Sequence, residues 1–338
     1  MCTRVLYVGE NNTVITGRNM DWGQDMQSDL WLFPAGMARN GAGGVGTPEW
    51  NSKYGSVIVS GYNLGSADGM NEKGLVANML YLAESNYGTT EGKPPLCISI
   101  WIQYTLDNFA TVAEAVAALE AEPFRLLAPI LPNGRPCSQH MSVSDATGDS
   151  AIFEYIDGKL VIHHSKAYQV MTNSPVYEQQ LALNTYWEQI GGEAFLPGTI
   201  SAADRFVRAS YFNNIVPKTV DKNYITSVPE QKFIYQAVAS VMGTMRSVAV
   251  PLGITTPDKP NISSTIWRTV SDQTNLVYYF DSATTPNTFW VDFKDMDFSK
   301  GAPAKKLPIA GGKYYAGNAA SQFVAAEPFT FLADSVPA

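Results

Sequence analysis

The sequence predicts an α+β protein with a four-layer αββα fold, in which two antiparallel sheets lie between two layers of helices. Candidate strands and helices come in separate runs, in the order strands, helices, strands, helices, strands. This grouping favours antiparallel sheets with helices on their outer faces, whereas single strands that alternate with helices are typical of parallel sheets. No low-complexity linker or internal repeat interrupts the 338 residues. Residues 1–338 are therefore interpreted as a single domain.

The first run consists of strands and turns. Its segments are rich in Val, Leu, Tyr and Trp, and turn residues such as Glu10-Asn11-Asn12 separate them. The predicted strands cover residues 3–8, 14–16, 31–33, 56–62 and 75–82. Between the last two, residues 67–74 (ADGMNEKG) are interpreted as a polar turn.

Helices and strands then follow in blocks. A buried helix is predicted at 96–106 after two prolines, and Thr111 with Glu114 forms a capping box ahead of a second helix that runs to residue 121. Strands are predicted at 142–144, 151–156, 160–164 and 168–171, with Asp157-Gly158 as a hairpin turn. Helices are predicted at 177–190, 202–215 and 230–242, the middle one capped by Ser201. The last strands are predicted at 265–270, 276–281 and 289–292.

The composition argues against several classes of function. The net charge is −8 and no run of Lys or Arg is present, so a nucleic-acid partner is not expected. No apolar run approaches the roughly 20 residues of a membrane span, so a membrane partner is not expected either. Cys2, Cys97 and Cys137 lack CxxC spacing, and His163 and His164 should face opposite sides of a strand. Neither a metal nor another cofactor is therefore predicted.

Cys2 is the strongest candidate for a catalytic residue because it directly follows the initiator methionine. Removal of Met1 would expose a thiol and a free α-amine on one residue. The ordinary pKa of an α-amine is about 7.7–8.0, so this group can accept the thiol proton, directly or through water, and later return one to a leaving amine. By position alone, a cysteine at position 2 is more often an incidental small apolar residue.

Five blocks of sequence, in order, resemble the choloylglycine hydrolase family. They are residues 1–4 (MCTR), 17–22 (GRNMDW), 67–75 (ADGMNEKGL), 171–175 (MTNSP) and 203–206 (ADRF). The family consists of N-terminal nucleophile (Ntn) hydrolases and includes penicillin V acylases and bile salt hydrolases. The resemblance implies the Ntn-hydrolase αββα fold and hydrolysis of a linear amide through an acyl-thioester, without a cofactor.

The resemblance also implies a role for each matching residue. Cys2 would be the nucleophile, and the Arg18 guanidinium beside it would favour the thiolate. Asp21 would orient the N-terminal amine, and Asn173 would direct its side-chain amide at the oxyanion. Arg205 would complete the charged site. Without the family pattern, these four polar residues would be interpreted as hairpin, turn and helix-surface residues.

Tyr81 and Trp22 indicate which type of acyl group the substrate carries. Bile salt hydrolases of the Gram-positive type carry asparagine where this chain has Tyr81, and an aromatic residue there resembles the penicillin V acylase pattern. In the family, this position gives a backbone N–H to the oxyanion hole and its side chain to the pocket. Trp22 and Tyr81 together would form an apolar wall for a phenoxyacetyl or fatty acyl group. Ordinary core packing is the alternative for both.

Three functions stay open at this point. The first is a penicillin V acylase-type amidohydrolase, resembling the Gram-negative branch, some members of which also cleave N-acyl homoserine lactones. The second is a bile salt hydrolase. The third is a non-enzymatic scaffold that retains Met1 and binds acylated small molecules. The resemblance further implies a homotetramer. It implies a periplasmic location if a signal peptide has been removed, whereas Met1 as the native start would imply the cytoplasm.

Overall fold

The computed structural model describes residues 1–89, 92–191, 195–254 and 263–333. In chain order, the strands of these ranges are β1 (Cys2–Val8), β2 (Val14–Trp22), β3 (Leu30–Phe33), β4 (Ala38–Asn40), β5 (Glu49–Asn51), β6 (Ser56–Gly61), β7 (Gly65–Asn71), β8 (Val76–Tyr81), β9 (Pro95–Cys97), β10 (Arg125–Leu127), β11 (Gln139–Ser144), β12 (Ser150–Ile156), β13 (Lys159–His164), β14 (Val170–Met171), β15 (Ser264–Asp272), β16 (Val277–Ser282), β17 (Thr288–Asp292), β18 (Lys305–Leu307), β19 (Gly317–Asn318) and β20 (Val324–Ala325). The helices are α1 (Trp101–Asn108), α2 (Val112–Glu120), α3 (Tyr177–Ile190), α4 (Ala202–Ile215) and α5 (Phe233–Ser247).

Two large sheets form the centre of the molecule. The first has the strand order β14-β1-β2-β15-β16-β17-β19, and only its β17–β19 pair is parallel. The second has the order β13-β12-β11-β8-β7-β6-β3-β18-β20, and all its pairs are antiparallel. Helices α4 and α5 pack on β1 and β2, and α1 packs on β7 and β8. The four-layer αββα prediction is confirmed.

The apolar core has two parts, as this layering requires. One cluster joins residues of both sheets with residues of α4 and α5, and includes Val5, Ile15, Val59 and Phe206. The other lies on the opposite face of the second sheet against α1 and α2, and includes Trp101 and Phe153. Since β1 and β2 are covered on both faces, nearly every residue in them is buried, including polar ones.

The capping signals set the starts of two helices correctly. The Thr111 side chain accepts a hydrogen bond from the Glu114 N–H at the start of α2. The Ser201 side chain accepts one from the Asp204 N–H at the start of α4. Each satisfies a backbone donor that the first turn leaves free. The second cap matters for the site because α4 carries Arg205.

The interpretation of residues 67–74 as a polar turn is wrong for most of the segment. Residues 67–71 belong to β7, and the turn is confined to the following three residues, where Gly74 has φ +80°. The polar side chains of β7 can be buried because they have hydrogen-bond partners in the interior. Asp68 accepts a hydrogen bond from Asn78, and Asn71 donates to the backbone carbonyls of Leu106 and Phe109.

The predicted helix at 96–106 is correct only in its second half. Pro95–Cys97 forms β9, which pairs in parallel with Arg125–Leu127, and α1 begins at Trp101. The apolar run at 96–100 is therefore buried partly as strand. Periodicity does not distinguish a short buried strand from a buried helix segment.

Candidate active site

Cys2 lies at the start of β1, opposite Met20 of β2. Because side chains alternate along a strand, Met20 and Arg18 share one face of the sheet, and Cys2 lies on this same face. The thiol is buried. Its Sγ atom is 3.6 Å from Nη2 of Arg18 and 3.8 Å from Sδ of Met20. The predicted nucleophile and the predicted cation are thus in contact.

Arg18 is held rigidly although it is completely buried. Nη2 donates a hydrogen bond to the Met79 carbonyl at 2.7 Å, and Nη1 is 3.9 Å from an Asp68 carboxylate oxygen. The guanidinium also lies over the Trp267 ring, 4.7 Å from its centroid. The structure therefore excludes the surface position that a hairpin arginine would ordinarily take.

Asp68 supplies the carboxylate that Arg18 faces. It accepts hydrogen bonds from Asn78 at 2.6 Å, from Thr269 at 3.2 Å and from the hydroxyl of Tyr278. Burial raises the pKa of Asp68, and the Arg18 charge together with these hydrogen bonds opposes that rise. Asp68 was not predicted as a site residue because Asp68-Gly69 suggested a turn.

Asn173 connects three parts of the site. Its Oδ1 accepts hydrogen bonds from the Cys2 N–H at 2.6 Å and from Arg205 Nη2 at 2.8 Å. Its Nδ2 donates to the Tyr81 carbonyl at 2.6 Å. The side-chain amide of Asn173 is therefore fixed beside the Cys2 backbone, with its nitrogen directed at the strand that carries Tyr81.

The backbone N–H of Tyr81 faces away from β11. The Leu82 N–H donates to the Ser138 carbonyl, and Tyr81 is paired with Gln139. In an antiparallel ladder, successive N–H groups point to opposite sides. The Tyr81 N–H accordingly points away from Gln139, and its role in an oxyanion hole stays a prediction.

Arg205 and Asp21 lie on the other side of the Cys2 backbone. Nη1 of Arg205 donates to the Cys2 carbonyl at 2.6 Å and to Thr3 Oγ1 at 2.5 Å, and it is 3.6 Å from Oδ2 of Asp21. Oδ1 of Asp21 accepts a hydrogen bond from Thr265 at 2.6 Å. Among the described residues, Oδ2 of Asp21 has no hydrogen-bond donor. Burial lowers the pKa of Arg205, and Asp21 opposes this effect.

Met1 occupies the position in front of Cys2. Its α-amino group donates to the Asp21 carbonyl at 2.8 Å and to Ser263 Oγ at 3.2 Å, and its carbonyl accepts from the Asp21 N–H at 3.0 Å. Burial lowers the pKa of this amine. Removal of Met1 would place the new α-amine at the Cys2 nitrogen, between Asn173 and the Asp21–Arg205 pair.

A mostly apolar cleft opens directly at the thiol. Trp22 and Tyr81 both line it, as predicted, and the Trp22 Nε1 donates to the Tyr62 hydroxyl at 2.7 Å. The cleft also has lining residues that the sequence analysis did not identify, namely Met20, Met26, Tyr62, Leu64, Ile98, Leu131, Cys137 and Leu332.

The structure brings all seven predicted site residues to one place, while their catalytic roles stay predictions. Within the described ranges, no group of three or more His, Cys, Asp or Glu side chains is arranged to hold a metal ion. His163 and His164 contact different carboxylates, Glu154 and Asp149 respectively. None of the described helices is long and apolar enough to cross a membrane.

Comparison with known proteins identifies relatives along nearly the whole chain. The chain is 47% identical to a penicillin V acylase from Pectobacterium atrosepticum, over 98% of this chain and 92% of that protein. It is 24% identical to a bile salt hydrolase/transferase from Bifidobacterium longum subsp. longum, over 66% of this chain and 77% of that protein.

Among these solved structures, too, a penicillin V acylase is more similar to this chain than a bile acid hydrolase is. The structure of penicillin V acylase from Agrobacterium tumefaciens superimposes with a TM-score of 0.89 at 51% identity, covering 98% of this chain and all of that one. A mutant conjugated bile acid hydrolase from Clostridium perfringens, at 21% identity, shares the fold with a TM-score of 0.75, covering 94% of this chain and 98% of that one. The family described as linear amide C–N hydrolases, choloylglycine hydrolase family, matches residues 2–304. This chain belongs to the choloylglycine hydrolase family of linear amide C–N hydrolases.

Proposed function

We propose that this enzyme is a penicillin V acylase, which cleaves the side-chain amide of penicillin V with Cys2 as its nucleophile. The observation that carries the proposal is the position of the Cys2 thiol. It lies beside Arg18 at the wall of an apolar, aromatic cleft, with Asn173 fixed at the Cys2 backbone. The two penicillin V acylases described above, at 47% and 51% identity, support the same substrate.

The reaction begins after Met1 has been removed. The α-amine of Cys2 takes the thiol proton, and Sγ attacks the carbonyl carbon of the amide to form a tetrahedral intermediate. The Asn173 side-chain amide and the Tyr81 N–H stabilise the oxyanion, and one such donor is typically worth about 3 kcal/mol in the transition state. Asp21 and Arg205 hold the amine and the Cys2 backbone in place.

The intermediate then collapses to the thioester. The carbon–nitrogen bond breaks, and the α-ammonium gives its proton to the departing nitrogen, so that 6-aminopenicillanic acid leaves as a neutral amine. Water attacks the thioester with the α-amine as base. This second step releases phenoxyacetate and restores the thiol.

The cleft favours a flat or flexible apolar acyl group. Trp22, Tyr62 and Tyr81 offer aromatic faces to a phenoxy ring, and Met20 and Met26 provide adaptable apolar contacts for an alkyl chain. N-acyl homoserine lactones with medium or long chains are therefore proposed as further substrates. The rigid steroid of a conjugated bile salt needs a broader pocket.

Side-by-side kcat/KM values on penicillin V, a decanoyl homoserine lactone and glycocholate test this proposal. We expect both of the first two to exceed glycocholate. One small apolar feature gives only about 1–3 kcal/mol of discrimination, so the result should be a ratio and not an exclusion. A glycocholate value above the other two would assign the enzyme to bile salt hydrolysis.

A further inference from the structure

A buried histidine outside the cleft contacts the chain segment that carries Asn173. His140 lies on β11 of the second sheet and is almost completely buried. Its Nδ1 atom is 2.8 Å from Oε1 of Glu154, and its Nε2 atom is 3.0 Å from the carbonyl oxygen of Thr172. Thr172 immediately precedes Asn173 and follows β14 of the first sheet. The His140 ring therefore links the two sheets at the oxyanion residue.

Both neighbours of the ring are hydrogen-bond acceptors. A carbonyl oxygen and an ionised carboxylate only accept hydrogen bonds. Glu154 also accepts the Tyr177 N–H at 3.1 Å and lies 3.6 Å from His163 Nε2. The His140 ring is therefore held between the Glu154 carboxylate and the Thr172 carbonyl.

We propose that His140 is a positioning residue for amide hydrolysis: it bridges Glu154 and the Thr172 carbonyl and thereby fixes the backbone that presents Asn173 to the oxyanion. The inference rests on the proposed role of Asn173. His140 itself is not among the residues that line the cleft.

The surrounding contacts restrain the same segment from the helix side. The Thr172 hydroxyl donates to Oε1 of Gln180 on α3 at 2.6 Å, and Nε2 of Gln180 donates to the Asn173 carbonyl. With His140 on one side and Gln180 on the other, the peptide between Thr172 and Asn173 is held both from the second sheet and from the helix layer. A small displacement of a positioned donor is enough to lower a rate by up to about 100-fold.

His140→Gln tests the positioning role. A glutamine that donates to Thr172 would turn its oxygen toward the Glu154 carboxylate, so both contacts cannot be kept. We expect kcat for penicillin V, per folded molecule, to fall at least about tenfold, with KM within about twofold of wild type, since Asn173 acts mainly in the transition state. A kcat within about threefold of wild type would overturn the proposal.

The double variant H140Q/E154Q separates positioning from general damage. The amide introduced at position 154 can donate to the new side-chain oxygen at position 140 and still accept the Tyr177 N–H. The amide nitrogen at position 140 can then donate to the Thr172 carbonyl. We expect the double variant to recover most of the lost kcat. His163→Gln, which changes a contact of Glu154 but none of Thr172, serves as the control and should leave kcat within about twofold. A double variant as slow as H140Q, with H163Q equally slow, would contradict the proposal.

A measurement that does not depend on activity tests the same contact. Hydrogen exchange of the backbone around Thr172 and Asn173 reports how firmly this segment is held. We expect exchange there to be faster in H140Q than in wild type, and unchanged in H163Q. Equal exchange in wild type and H140Q would overturn the proposal. If the wild-type enzyme does not cleave penicillin V, the proposed function fails, while this measurement still judges His140.

Discussion

The Cys2 backbone divides the site into two sides with different tasks. On the side between the sheets, the thiol meets Arg18 and the cleft. On the helix side, Asp21, Arg205 and Asn173 surround the Cys2 amide and carbonyl groups. Different residues therefore contact the sulfur and the nitrogen of Cys2. Variants of these two groups of residues should have distinguishable effects on catalysis.

Asp21 is the residue through which the orientation of the amine can be tested. Its Oδ2 atom is buried without a hydrogen-bond donor in the described part of the chain, and it lies near Arg205. We expect Asp21→Asn to lower kcat for penicillin V by about 100-fold or more, the usual contribution of a positioned proton-transfer group. The exposed Asp25, four residues on, offers a matched control. A kcat for D21N equal to that of D25N would contradict the assigned role.

We also predict that Met1 is absent from the active enzyme. With Met1 in place, the nitrogen of Cys2 is an amide and cannot act as a base, although the thiol, Arg18 and Asn173 are already positioned. We expect the intact mass of the active enzyme to lack one methionine. Full activity in a preparation whose mass includes Met1 would show that another group accepts the proton.

At the scale of single elements, helix α4 positions Arg205 and begins at the Ser201 cap. Ser201→Ala removes the acceptor for the Asp204 N–H, and we expect the free energy of unfolding to fall by about 1 kcal/mol. Denaturant unfolding measures this change. Thr111→Ala at the cap of α2 is the matched comparison and should cost a similar amount. No change in either variant would mean that these side chains do not stabilise the helix starts.

The elements also show what the sequence could predict. Helices α3 and α4 have the predicted bounds. The Ser201 cap marks the start of α4, whereas α3 starts without a side-chain cap and ends at Gly191. Strand β7 was missed because Asp68 and Asn71 look like turn residues, and only distant partners such as Tyr278 make their burial possible. The short strands β18 and β20 were missed for a similar reason, since pairing with each other and with β3 defines them.

The same contrast between local signals and distant partners applies to the site residues. The seven predicted residues carried a recognisable local pattern, and the structure places them together. Asp68 lies in one of the matching blocks but was interpreted as part of a turn, and His140 lies outside those blocks. Both contact residues far along the chain. The predicted homotetramer and the periplasmic location of the enzyme stay predictions.

At the scale of the whole molecule, the buried Glu154 network should make stability depend on pH. Burial raises the pKa of Glu154, but hydrogen bonds from His140 and His163 outweigh it and lower the pKa to about 2. The native carboxyl therefore binds its proton less readily than the unfolded one, whose ordinary pKa is about 4.5. The stabilisation is complete above pH 4.5 and is lost as the pH falls toward 2.

Unfolding by urea at a series of pH values measures this effect. The difference between pKa values of about 2 and 4.5 corresponds to a loss of about 3 kcal/mol in the free energy of unfolding as the pH falls from 4.5 to 2. Glu154→Gln should remove this pH dependence of the free energy of unfolding. Glu84→Gln, at an exposed position, should leave it in place. Equal slopes for wild type and E154Q between pH 4.5 and 2 would contradict the assignment.

The role of Cys2 as the nucleophile is tested directly by one comparison. It is the kcat/KM for penicillin V of Cys2→Ser beside that of Cys97→Ser, which changes a second buried thiol outside the cleft lining. We expect C2S to lose nearly all activity while its circular dichroism is unchanged, and C97S to stay within a few-fold of wild type. A C2S variant that keeps more than about a tenth of the wild-type kcat/KM, a loss below about 1.4 kcal/mol of transition-state stabilisation, would contradict the nucleophilic role.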